Sequence, residues 1–184
     1  MNVIILLGTA AIAVPFLISF LAPASVVGVA VSERFLERSK TIPPQPATAP
    51  LLINAANLRA WVTGTQTAGY PRAYAWRVMP LDFIYLLILG GFLALGARTL
   101  AATVTWPPTL AKWLPLEVWL IFPVLYTVAD FLEDCMIIVL MTQPAKISNA
   151  TVRALTVLRN AKIVSNALAI TQILALGVAG CIWR

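Results

Sequence analysis

Four apolar runs, each close to the ~20 residues that a helix needs to cross a bilayer core, dominate this chain of 184 residues. They begin at Val3, Leu81, Leu114 and about Asn149, and loops with proline or charge separate them. Hydrophobic residues make up 60% of the chain and charged ones 11%. Soluble domains lie nearer ~45–50% and ~25%. One soluble core of this size cannot hide so much apolar side chain, whereas lipid can solvate it. The expectation is an all-α fold, a single four-helix transmembrane bundle, with the bilayer as its first partner.

The first helix is expected over about residues 3–22. A cleaved signal peptide is the rival, because Ala22-Pro23-Ala24 resembles a small-residue cleavage site. No Lys or Arg precedes the run, and it is longer than the ~7–15 residues of a signal core, so a retained helix is expected. An amphipathic extension to residue 39 ends in Glu33, Arg34, Glu37 and Arg38. Residues 40–69 read as a Pro-rich linker, because Pro43, Pro44, Pro46 and Pro50 forbid regular helix around them. The mildly apolar stretch Ala49 to Val62 reads as a membrane-surface segment or an ordinary loop. The second helix is expected over 71–100, with Pro71 in its first turn and a kink at Pro80. The third is expected over 114–141 and the fourth over 149–183, capped by Ser148 or Asn149. Small residues four apart, Gly90 with Ala94 and Ala161 with Ser165 and Ala169, favour close helix packing in lipid.

The net charge is +6. Arg34, Arg38, Lys40, Arg59, Arg72, Arg77, Lys146, Arg153, Arg159 and Lys162 fall on one side of the four-span arrangement. Arg98, Lys112 and Arg184 fall on the other. The positive-inside bias puts the larger group in the cytoplasm and both termini outside, in a multi-pass protein of the cell (inner) membrane. Trp106, Trp113, Trp119 and Trp183 then form an aromatic belt at the outer interface. Bases beside apolar spans touch anionic headgroups, and without a basic cluster interleaved with aromatics no nucleic-acid partner is expected. Cys135 and Cys181 lie in apolar segments and read as spectator thiols. Histidine is absent, which removes His-based metal sites and nucleophile triads. No cofactor, metal or catalytic residue is expected.

The candidate site is the segment Tyr126 to Cys135. Spacings of three and four put Tyr126, Asp130, Glu133 and Asp134 on one helical face. An ionised Asp at mid-bilayer costs about 2.5–3.5 kcal/mol on the insertion scale, so these acids must face protein, water, protons or cations. Antiparallel pairing across residues 142–148 brings Glu133 level with Arg159 to Lys162. Arg159, Lys162 and Asn166 share a face, and Asp82 enters its helix from the same side. Two readings follow. One is a structural ion-pair network, with Lys162 coupled to Glu133, that specifies helix register. The other is a polar cavity for a lipid headgroup, a small polar molecule or a proton. Four acids against two or three bases imply that Asp130 or Glu133 holds a proton at neutral pH.

Pro80-Leu-Asp82-Phe, Asp130-Phe-Leu-Glu133-Asp134 and Lys162 resemble a mainly bacterial family of small four-helix membrane proteins. That family has a D-x-x-E-N signature in its third helix, an aspartate opening the second and a lysine in the fourth. The resemblance covers residues 70–170 and implies a fold without an activity. Asp134 stands where the family has Asn, which adds a negative charge. The expected role is a non-enzymatic one, binding a lipid or small molecule or serving as an accessory subunit of a membrane complex. The alternatives are an intramembrane enzyme using Asp130 and Glu133 as acid/base pair or metal ligands, and a small proton-coupled transporter.

Overall fold

A computed structural model describes residues 2–21, 55–65, 69–107 and 115–182. Every regular element among them is helical: α1 (Asn2–Leu21), α2 (Ala55–Thr63), α3 (Tyr70–Ala73), α4 (Met79–Thr103), α5 (Ile121–Thr142) and α6 (Asn149–Ile182). The expected extension to residue 39, the proline cluster at 43–50, Trp113 and Trp183 lie outside the described residues.

The region expected to be linker contains α2. Ala55, Leu58 and Val62 recur at helical spacing on one face. Ala55 and Leu58 are buried, and Val62 packs beside them. Tertiary burial of this short stripe stabilises a helix that local composition alone does not announce. Arg59, at the edge of that face, donates to the backbone carbonyl of Ile147.

Between α3 and α4 the chain makes a π-helical stretch, Tyr74–Val78, with the Met79 N–H donating to the Tyr74 carbonyl five residues back. Pro80 explains it. A proline has no N–H for the Trp76 carbonyl, and its ring collides with that carbonyl in a regular turn. Widening the preceding turn removes the collision while the rod continues. The kink expected at Pro80 thus takes the form of a π-bulge one step earlier. At the start of α6, Ser148 is the cap. Its hydroxyl accepts from the Thr151 N–H at 3.2 Å, and its own N–H donates to the Thr151 hydroxyl at 2.9 Å. This is a reciprocal capping box with Thr in place of the usual acid or amide.

Two rods, Pro71–Thr103 and Asn149–Ile182, are long and apolar enough to cross a membrane, and the apolar stretch of each is only 22% buried. Four such rods were expected. Helix α1 carries no charged residue along its 20 residues. In α5 every 18-residue stretch includes Asp130, Glu133 and Asp134.

The chain divides into two compact units. The first comprises Met1–Val14, Ile84–Leu132 and Leu158–Arg184. Its helices approach closely at glycines. A Cβ on Gly90 would stand 2.4 Å from the Thr127 hydroxyl, and one on Gly8 would stand 3.0 Å from the Phe92 ring. Ala97, Ala101 and Leu176 form a small buried core there. The second unit comprises Pro15–Phe83 and Glu133–Val157. Its larger core gathers Leu58, Tyr74, Met79, Leu140, Met141 and Ile147.

Gly90→Ala tests the close approach of α4 and α5. Alanine gains about 1 kcal/mol of helix propensity over glycine, but the Thr127 hydroxyl is held by its 2.8 Å bond to the Pro123 carbonyl and cannot easily give way. Overpacking costs about 1–3 kcal/mol, so a net loss of thermal stability is expected, relieved when Thr127→Ala is added. A stabilised Gly90→Ala variant would contradict the packing.

Candidate functional site

The first unit holds an ion pair. Lys162 Nζ on α6 lies 2.5 Å from Asp130 Oδ1 on α5, with the Asp130 side chain 5% exposed and that of Lys162 23% exposed. Asp130 and Lys162 are equidistant along the chain from Lys146 in the α5–α6 turn. Two antiparallel helices with equal rise bring such residues to one level. The sequence reading named Glu133 as the partner of Lys162. The bridge seen here runs to Asp130, one turn farther from the loop, where the level match is better.

The surroundings of the pair are polar but economical. Tyr126, one turn before Asp130, is buried. Ser165 is buried too, and its hydroxyl donates to the Ala161 carbonyl at 2.6 Å, with that of Lys162 at 3.1 Å. That leaves it satisfied within its own helix. Asn166, one turn beyond Lys162 on the same face, is half-buried. Its Oδ1 is buried and has no hydrogen-bond partner among the described residues. An amide oxygen has two lone pairs to offer, so this atom is an unfilled acceptor next to the ion pair's face. Arg159, one turn before Lys162, is half-buried.

The remaining expected members of the cluster belong to the second unit. Glu133 and Asp134 are buried, at 5% and 1% exposure, and Asp82 is half-buried in the first turn of α4. Asp82, Tyr126, Glu133, Asp134 and Arg159 each take part in further polar or ring contacts. Among the described residues no three His, Cys, Asp or Glu side chains are gathered to hold a metal ion.

A second polar contact in the first unit was not anticipated. Gln172 on α6 is buried, and its Nε2 donates to the Trp119 carbonyl at 2.6 Å. The residue four positions after Trp119 is Pro123, which has no N–H to give that carbonyl. Gln172 supplies the missing donor from another helix. The clue was legible as a lone glutamine in an apolar run opposite a proline near a helix start. Trp106 and Trp119 are two of the four tryptophans expected in an aromatic belt. They are half-buried and stacked, with centroids 5.4 Å apart and planes 17° from parallel. Trp106 Nε1 donates to the Ala101 carbonyl at 3.0 Å.

The chain matches no family model, and no characterised protein or solved structure is similar enough to count as a match. The reading of this site rests on its own geometry.

A double-mutant cycle measures the pair. Removing one partner of a buried pair strands the other charge, at a cost of about 3–5 kcal/mol. Lys162 keeps part of its side chain exposed, so the lower end is expected for Lys162→Met and for Asp130→Asn. The double variant should recover a substantial part of the loss in thermal unfolding. Strictly additive losses would rule out direct coupling.

Proposed function

We propose that this chain is an integral membrane protein, a four-helix transmembrane bundle of α1, α4, α5 and α6, that works by binding and not by catalysis. It holds the polar part of a lipid or small molecule beside the Asp130–Lys162 pair.

The inverted burial of its helices carries this reading. Asp130, Glu133, Asp134, Ser165 and Gln172 are buried, while Val124, Leu125, Val128, Phe131, Ile163, Val164, Leu168 and Leu174 are exposed on the same helices. Water disfavours exposed aliphatic surface of this extent, and soluble monomers rarely carry it. Lipid tails solvate it without cost, and intramembrane ionisable groups then turn inward, pair, and mark functional sites. The low burial of the two long apolar rods argues against their being core helices of a soluble protein. The unfilled Asn166 acceptor beside a salt-bridged Asp–Lys pair suits a ligand that brings a hydrogen-bond donor. The resemblance of the α4, α5 and α6 motifs to small bacterial four-helix membrane proteins agrees with this reading. So does the base asymmetry, which puts both termini outside the cell membrane.

Single-cysteine variants of the reconstituted chain, made after Cys135→Ala and Cys181→Ala, test it. Val128→Cys and Leu168→Cys should resist a water-soluble maleimide from both sides and react with a lipid-soluble one. Thr65→Cys should react with the water-soluble reagent from the cytoplasmic side alone. Ready aqueous labelling at Val128 and Leu168 would remove the membrane reading, and labelling of Thr65 only from outside would invert the topology.

A further inference from the structure

The exposed charge described in the second unit has one sign. Among its described residues Arg59, Arg72, Arg77, Lys146 and Arg153 are exposed, whereas Asp82 is half-buried and Glu133 and Asp134 are buried. Within this unit a cleft of about 160 Å³ opens between α2, the start of α3 and the α5–α6 turn. Val62, Pro71, Met141 and Pro144 give it apolar walls, and Arg72 gives it a cation. Its volume is far above the ~10–15 Å³ that a single water requires. The Thr142 hydroxyl also lines the cleft but donates to the Ile138 carbonyl at 2.7 Å. Anion recognition in the cleft therefore falls to Arg72.

We propose that this cleft binds the headgroup of an anionic phospholipid, with Arg72 on the phosphate and the apolar walls against the glycerol and ester region. The proposal rests on the membrane reading above and adds a ligand class and a second site, separate from the Asp130–Lys162 pair. Two observations select a lipid over other anions. The cleft sets apolar walls beside a cation, a pairing that suits an amphiphile. Trp76, 69% exposed, stands between Arg72 and Arg77 at the entrance to the apolar rod. An exposed tryptophan flanked by arginines at the end of a spanning segment is the pattern of the headgroup level. At that level each Lys or Arg attracts anionic lipid, and the exposed bases described in the unit add to the effect.

The test is electron spin resonance of spin-labelled phosphatidylglycerol and phosphatidylcholine in bilayers containing the full chain. The wild type should immobilise phosphatidylglycerol in preference to phosphatidylcholine. Arg72→Gln should lower that preference about five-fold, the effect of one arginine at an anionic surface. Arg72→Lys should retain most of it, and Arg98→Gln, in the first unit, should leave it unchanged. Equal preference in Arg72→Gln and wild type overturns the proposal, as does an equal fall in Arg98→Gln. Loss of preference on adding inorganic phosphate at constant ionic strength also overturns it, because the site would then take the free anion. If the wild type immobilises neither lipid, the membrane reading itself fails, which separates the two outcomes.

Discussion

A carboxylate held at 5% exposure needs a cation, and Lys162 on α6 supplies it to Asp130 on α5. The bond does more than neutralise charge. A buried pair gains little net stability over an apolar replacement, because desolvation offsets attraction. Its effect is on alternatives. If α6 slid by a turn along α5, Asp130 would lose its partner while still buried. The pair thus fixes register where apolar packing alone would tolerate shifts.

The same accounting extends to the backbone. Proline leaves a carbonyl without its usual donor, and α4 and α5 answer this differently. Before Pro80 the helix widens to a π turn, with Met79 bonding to Tyr74. Before Pro123 the Trp119 carbonyl is met from outside its helix by Gln172. Close approach at Gly90 brings the Thr127 side chain against the α4 backbone, and that hydroxyl turns back to the Pro123 carbonyl. In a medium without water such groups have no solvent to fall back on. Fixed internal partners then become part of what defines the fold.

The all-helical class was legible because long apolar runs leave few other solutions. The helix face carrying Tyr126, Asp130, Glu133 and Asp134 was legible from spacing alone, and all four side chains are buried. Spacing pointed to Glu133 for Lys162, and the ion pair described runs to Asp130 one turn away, because a level match across a six-residue connection is no finer than a turn of helix. Helix α2 was missed for a different reason. Its stripe of Ala55, Leu58 and Val62 is too short to stand out beside the proline cluster, and its stability comes from the core it joins. The lone glutamine and the proline hinted at the Gln172–Trp119 bond, but the register that joins them lies between helices and not in either run.

The buried pair, the outward aliphatic faces and the unfilled Asn166 acceptor belong to the first unit, a helical body with polar groups inside and aliphatic side chains outside. Its central claim is that Lys162 and Asp130 meet as opposite charges inside that body. Solid-state NMR of the bilayer-reconstituted chain, with ¹⁵N-lysine and ¹³C-aspartate labels, measures this directly. The account predicts an ammonium shift for Lys162 Nζ and a dipolar contact to a carboxylate carbon that disappears in Asp130→Asn. A neutral amine at Lys162, or a contact that survives Asp130→Asn, would contradict it.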